Sequence, residues 1–354
     1  MKIVHVINSL ATGGAERMVV ELATHGVRRG HDVRVVVLAD TEGMPRRIAD
    51  ERGIPIAVAA TSLRDPRILV RLRNLTVGAD VVHVHLFPAM YWAATLGGPK
   101  VFTEHSTHNR RMGRRLYRLP ERWAYNNYDR VVAIGPGVER RLRQHAAGIG
   151  SGTRVVTALN GVADEFYAVN TRTHRSGVRL LSVGSLTEVK QHAVAIEAMR
   201  LLPDATLDIA GEGPLRRELE TQIVKAGLQS RVRLLGNVKD VHTLLSSYTL
   251  LLSTSKYEGF GLVAAEAQAA GLPVVGPAVE GFDDVVLQGR SGLLFGSATP
   301  EEIAARVRAA IEPSQYARLV AGALANSRRF TMSNSFEANY AVYKSVIREV
   351  GSSR

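Results

Sequence analysis

The sequence predicts an α/β protein built from two doubly wound parallel sheets. Three observations predict it. Short β-branched runs alternate with helix-like segments over nearly the whole chain, the pattern of strand–helix–strand units. Several of these runs are apolar without alternation, such as Val33-Arg34-Val35-Val36-Val37-Leu38 and Leu250-Leu251-Leu252, as strands covered on both faces are. The 354 residues also exceed what one core usually organises.

In chain order, the expected strands of the first half are 2–8, 33–38, 55–59, 81–84, 100–103, 131–134 and 154–158. Those of the second half are 178–183, 205–210, 231–235, 249–253, 273–276 and 293–295. The first of them starts Met1-Lys2-Ile3-Val4-His5-Val6-Ile7 and lacks the basic region, long apolar stretch and cleavage site of a signal peptide. A helix over 15–29 sets Met18, Val19 and Leu22 on one side, with Gly30 as its stop. A helix over 214–226 spaces Leu215, Leu219 and Ile223 four apart, ahead of Gly227. Residues 167–177 are polar and carry no apolar period, and a clean strand restarts at Val178. The expected domains are therefore 1–165 and 170–332, facing each other across a cleft. A last helix over 335–350 aligns Phe336, Tyr340, Tyr343 and Ile347 and fits either domain.

Composition narrows the function. The chain has no cysteine, so disulfides and thiolate metal sites are excluded. No run approaches 18 apolar residues, so no membrane span is expected. A cytoplasmic location follows as the expectation. The net charge of +12, from 45 Lys+Arg against 33 Asp+Glu, points to anionic partners. Arg110, Arg111, Arg114, Arg115, Arg118 and Arg122 fall within thirteen residues, interleaved with Leu116, Tyr117, Leu119, Trp123 and Tyr125. A solvated helix would read this way. So would a surface that meets anionic lipid at the inner face of the cell membrane, or a lipid-phosphate acceptor. No zinc-finger, RNA-recognition or basic-zipper signature is present, so nucleic acid is not an expected partner.

Open α/β sheets bind ligands beyond the carboxyl ends of their strands, so the segments after each strand matter most. The richest is Tyr257-Glu258-Gly259-Phe260-Gly261-Leu262-Val263-Ala264-Ala265-Glu266, a glycine-bearing loop running into a helix. Its glycines let the backbone approach a ligand, and the free amides of a helix start attract an anion. Glu258 precedes the helix and Glu266 lies about two turns inside it, so the two carboxylates could grip hydroxyls at two points of one long ligand. Three further strand–loop junctions are Gly184-Ser185 through Lys190, Gly211-Glu212-Gly213, and Gly236-Asn237-Val238. In the first half, Thr12-Gly13-Gly14 follows the first strand. Asp40 beyond the second strand invites a dinucleotide reading, but the GxGxxG spacing is absent. His85 and His105 each follow a strand.

The 257–275 segment resembles the signature of the family-four retaining glycosyltransferases (glycosyl transferases group 1), which have the GT-B fold. The resemblance spans nearly the whole chain and is most specific at Glu258 and Glu266. It implies that Glu258 contacts the donor sugar, that Glu266 contacts the ribose, and that the backbone of Phe260, Gly261 and Leu262 faces sugar and diphosphate. Gly184 and Ser185 resemble the family's phosphate loop, with Lys190 as its basic residue; the family often has Arg where this chain has Ser185. Gly211 and Glu212 resemble the loop under the nucleotide. Asn237 and Val238 resemble the segment that holds the base through its backbone, which leaves uracil, guanine and adenine open. Gly13 and Gly14 resemble the glycine loop near donor phosphate and acceptor. His105 matches the histidine that meets the donor sugar near the reacting carbon, and His85 is an acceptor-side candidate. Gly281-Phe282-Asp283-Asp284 and Asn160-Gly161-Val162 resemble structural segments. The last helix is implied to cross back onto the first domain.

The expected function is thus sugar transfer from a UDP- or GDP-sugar to a glycan or lipid-linked acceptor, with retention and with no metal or other cofactor. His105, Lys190 and Glu258 are the expected catalytic residues. A lysine in the phosphate loop can neutralise the departing diphosphate. No carboxylate stands out as a covalent nucleophile, which favours attack on the face that the diphosphate leaves. A nucleotide-sugar 2-epimerase or phosphorylase on the same fold, or an inert nucleotide-sugar-binding subunit, are the alternatives.

Overall fold

The structure is a computed structural model that describes residues 1–11, 13–63, 65–106, 111–168 and 177–352. The chain divides into two compact units, Met1–Gly161 with Met332–Arg354, and Val162–Thr331. Thirteen strands are found among the described residues, each within one residue of its expected ends.

In the first unit the strands are β1 (Lys2–Ile7), β2 (Asp32–Ala39), β3 (Ile56–Ala60), β4 (Val81–His85), β5 (Lys100–Glu104), β6 (Arg130–Ala133) and β7 (Val155–Thr157). They form one sheet in the order β3-β2-β1-β4-β5-β6-β7, with every pairing parallel. The connecting helices are α1 (Gly14–Arg28), α2 (Met44–Glu51), α3 (Ile68–Thr76), α4 (Ala89–Ala94), α5 (Arg118–Asn126) and α6 (Pro136–Ile149). Strand β4 is buried at all five positions, which is why its sequence shows no polar alternation apart from two histidines. Helix α6 stops where Gly150 turns left-handed, at φ +69°, and its N–H reaches back to Ala146 and Ala147.

The second unit carries β8 (Val178–Val183), β9 (Ala205–Ala210), β10 (Val232–Gly236), β11 (Leu250–Leu252), β12 (Val274–Pro277) and β13 (Gly292–Phe295). Their order is β10-β9-β8-β11-β12-β13, again all parallel. Around them lie α7 (His192–Ala198), α8 (Arg216–Lys225), α9 (Val241–Leu245), α10 (Leu262–Ala269), α11 (Pro300–Ile311) and α12 (Pro313–Ser327). The expected stripe of α8 faces inward, with Leu219 and Ile223 buried. The core joins these residues to Leu207, Ile209, Leu250, Leu252 and Val307.

Helix α13 (Met332–Ser352) returns to the first unit. Phe336, Tyr343 and Val346 are buried, and Tyr340 and Ile347 pack against the same core as Val19, Val33 and Val81. In each sheet the strand order reverses at one point, between β1 and β4 and between β8 and β11. Those switch points are where a doubly wound sheet opens to a ligand.

Candidate active site

In the second unit, Lys190 follows β8 and Glu258 follows β11, so the two flank the switch point. Their side chains meet there, Lys190 Nζ lying 2.5 Å from Glu258 Oε1, with 23% and 17% of each side chain exposed. The loops that carry them are tied together. Lys256 donates its N–H to Val189 O at 2.8 Å, and the Thr254 hydroxyl donates to Lys190 O at 2.8 Å. Gln191, immediately after the lysine, adopts φ +49°, a left-handed conformation uncommon for a residue with a side chain. A cation and a carboxylate are thus held at one spot, partly open to solvent.

The glycines expected near this spot are there for close backbone approach. A Cβ on Gly211, which has φ +154°, would lie 1.9 Å from Gly184 O. The Gly211 N–H donates to Gly236 O at 2.8 Å and the Gly184 N–H to Ala210 O at 3.0 Å. Three predicted loops, after β8, β9 and β10, therefore interlock. Glu212 pairs with Arg216 at 2.6 Å and its carbonyl accepts from Leu186 N–H at 2.9 Å. Asn237 is exposed and Val238 half-buried beside them. Ser185 is exposed, with its hydroxyl 3.3 Å from that of Thr187.

Gly261 caps the start of α10 at φ +76°. A Cβ there would touch the Phe282 ring at 3.0 Å, and one on Gly281 would lie 2.7 Å from the carbonyls of Glu258 and Gly259. The 281–284 segment is thus a wall against which the Glu258 loop is laid. Phe260 is buried and Leu262 half-buried. Glu266 is the fifth residue of α10, nearer to its start than two turns, and is only 4% exposed.

In the first unit, His85 ends β4 and His105 follows β5. The structure adds two histidines that no motif marks, His5 on β1 and His83 on β4. His5 Nδ1 lies 3.1 Å from His85 Nε2, and His85 Nδ1 lies 3.1 Å from His105 Nε2. His83 packs on His85, ring centroids 4.1 Å apart, but its nitrogens are engaged elsewhere, Nδ1 2.6 Å from the Tyr343 hydroxyl and Nε2 2.6 Å from the Thr103 hydroxyl. Burial holds the rings neutral. It pushes His5 and His105 down to about 4, and burial with the neighbouring histidines sends His83 and His85 well below the usual range. Among the described residues, His5, His83 and His85 are the group with metal-ligand spacing, their nitrogens within 4.8 Å of one another. An ion there would have to displace the Tyr343 or Thr103 bond. Gly13 is extended, with φ −175°, and Gly14 opens α1. Asp40 pairs with Arg46 at 2.6 Å.

The arginine cluster divides. Arg110 lies outside the described residues. Arg111 does not belong to an outward-facing group. It is 5% exposed, with Nη1 2.9 Å from Glu121, Nη2 3.5 Å from Glu104, and its guanidinium 4.6 Å from the centre of the Phe87 ring. The reason is electrostatic: the buried carboxylates of Glu104 and Glu121 need a cation, and Arg111 supplies it; His145 Nε2 also lies 2.7 Å from Glu121. Arg114, Arg115 and Arg118 face solvent.

Sequence reasoning placed Lys190, Glu258 and the glycines of their loops, and the structure gathers these on one sheet edge. It missed His5 and His83, because an isolated histidine in an apolar strand gives no local signal. It also missed Tyr343, which reaches His83 across 260 positions. Adjacent-strand register was the one usable clue: His5 pairs with His83, and His85 with Thr103.

The chain is similar to known proteins. Residues 172–323 match the family described as "Glycosyl transferases group 1", and residues 12–166 match "Glycosyltransferase Family 4". A glycogen synthase of Mycobacterium tuberculosis is 28% identical over 349 residues, covering 85% of this chain and 83% of that protein. An uncharacterized glycosyltransferase of Methanocaldococcus jannaschii is 26% identical over 242 residues, 65% of either chain. HepE of Anabaena, solved in complex with UDP, superposes with a TM-score of 0.84 at 21% identity, covering 98% of this chain and 100% of its own, a likeness of fold.

Proposed function

Because this chain belongs to the group 1, family-four glycosyltransferases and has their GT-B fold, we propose that it moves a hexose from a UDP- or GDP-sugar to a glycan or lipid-linked acceptor, with retention and without a metal. The observation that carries the reading is the Lys190–Glu258 pair at the β8/β11 switch point. A ligand with a diphosphate and a sugar needs a cation and a hydroxyl-binding carboxylate side by side, backed by loops that only glycine can form. UDP is the first nucleotide to try, since HepE was solved with it.

In this reading Lys190 meets the diphosphate, aided by the amides at the start of α10. Glu258 holds the ammonium in place and takes a sugar hydroxyl. Glu266 meets the ribose, and His105 addresses the donor sugar. The bond between anomeric carbon and diphosphate breaks while the acceptor oxygen bonds on the same face. A phosphate oxygen takes the acceptor proton, and negative charge grows where Lys190 stands. Ser185 brings no charge where relatives often have arginine, so Lys190 carries more of this stabilisation. The test is turnover of a nucleotide-sugar panel by Lys190→Ala and Glu258→Ala. Each should lose activity on the order of 10²- to 10³-fold with its circular dichroism unchanged. Full activity in both would reject the assignment.

We further propose that α5 and the turn before it rest on an anionic lipid surface, which suits polysaccharide assembly at the membrane. No described helix is long and apolar enough to cross one. Leu116, Leu119 and Trp123 are 81%, 73% and 47% exposed, beside Arg114, Arg115 and Arg118, while Glu121, Ala124 and Tyr125 turn inward. Exposed leucines among arginines are a costly surface in water and a fitting one at a headgroup layer. Liposome flotation should capture the protein with anionic but not neutral vesicles at low salt; capture independent of lipid charge would refute this.

A further inference from the structure

We propose that His5, His85 and His105 form a relay of neutral imidazoles in which His85 is a positioning residue, holding His105 with its proton on Nδ1 as a donor toward the donor sugar. The proposal rests on the reading that His105 meets that sugar.

The geometry comes first. The links are 3.1 Å from His5 Nδ1 to His85 Nε2 and 3.1 Å from His85 Nδ1 to His105 Nε2. His105 Nε2 is thereby engaged, and Nδ1 is the nitrogen left to address a ligand. His5 is 1% exposed and His85 fully buried. Leu86, directly after His85, takes φ +66°, so the chain turns sharply at the middle ring. Such backbone is uncommon outside glycine and concentrates at functional sites.

Three neutral rings share three N–H groups, and each link needs one donor and one acceptor. Only two senses satisfy both links. In one, the protons point from His105 toward His5 and leave an N–H on His5 Nε2. In the other, His5 donates to His85, His85 donates to His105, and His105 carries its proton on Nδ1. The side-chain link of His5 runs through Nδ1, so Nε2 is the ring nitrogen at that end of the relay. An N–H left without an acceptor costs more than an unused lone pair; His5 is 1% exposed while His105 is half-buried, so the second sense, which puts the free N–H at the more open end, is the favoured one. Neutrality is maintained because burial depresses all three rings. His83 packs against the His5 and His85 rings, and both of its nitrogens are engaged by Tyr343 and Thr103.

The experiment is a nitrogen-15 histidine spectrum of the full chain at neutral pH, with long-range proton correlations that separate N–H from bare ring nitrogens. All three rings should show N–H at Nδ1 and a bare Nε2. An N–H at Nε2 of His105, or a charged ring in the relay, would overturn the proposal. So would one equivalent of metal in the native protein by elemental analysis, since His5, His83 and His85 would then be ligands. Kinetics adds a second arm. His85→Leu should lower kcat about tenfold with a smaller change in KM for the donor. His85→Asn, whose amide can donate near the Nδ1 position, should recover most of it. Equal losses in both would reduce His85 to a packing residue. His105→Ala separates the two readings: full activity there removes the donor-sugar role of His105 while leaving the tautomers measured in the wild-type chain intact.

Discussion

Mild acid should unfold the first unit early. The perturbation is a fall from about pH 7.5 to about pH 5. His5 is buried and its pKa is pushed from 6.5 to about 4. In the unfolded chain the same ring titrates near 6.5. Between those values the unfolded state binds the proton that the folded state refuses, so stability is full above about pH 6.5, falls as pH drops, and levels off below about pH 4. The span of 2.5 pH units corresponds to about 3 kcal/mol, and about 2 kcal/mol of it is already lost at about pH 5. His105, pushed to about 4 for the same reason, adds a loss of similar size, and His83 and His85 act in the same direction. The unit therefore loses on the order of 4 kcal/mol, a large part of ordinary domain stability. Both tryptophans, Trp92 and Trp123, lie in this unit, so their fluorescence follows it alone during urea unfolding. With a urea slope of about 1–3 kcal/mol per molar, the midpoint should fall by at least about 1 M. A midpoint that stays level from about pH 7.5 to about pH 5 would refute the claim that the folded unit holds these rings neutral.

Three further outcomes are expected. Gly211→Ala drives a methyl group against Gly184 O and should cost about 2 kcal/mol or more, since backbone stands on both sides; unchanged thermal stability of this variant would show that the three loops do not interlock. Arg111→Ala removes the buried guanidinium that Glu121 and Glu104 share and should destabilise by about 3–5 kcal/mol, whereas Arg115→Ala should stay within about 0.5 kcal/mol; a thermal melt of each decides. Transfer should continue in a chelator, because the proposed charge stabilisation comes from Lys190 and helix-start amides; activity lost on chelation and restored by manganese would contradict it.

Much of the fold was legible because parallel strands announce themselves. Runs such as 33–38 and 250–252 suit strands covered on both faces, and the glycine after β9 marks where two backbones touch. Lys190 and Glu258 were legible by their place after strands, though 68 positions apart. What was not legible depends on side chains that meet through tertiary packing. Arg111 looks in sequence like one more member of a basic run, and nothing local says that Glu104 and Glu121 draw it inward. His5 and His83 look like polar accidents in apolar strands until the strands are placed side by side. The left-handed turns at Leu86 and Gln191 leave no sequence mark, since neither residue favours that conformation.

Helix α13 carries a consequence for how the protein is made. The first unit is discontinuous: its sheet is synthesised early, but Phe336, Tyr343 and Val346, which close its core, are translated after the entire second unit. On the ribosome, the second unit can complete itself while the first still waits for its final helix, with apolar surface and His83 uncovered. The core of the first unit therefore cannot close until α13 has been made.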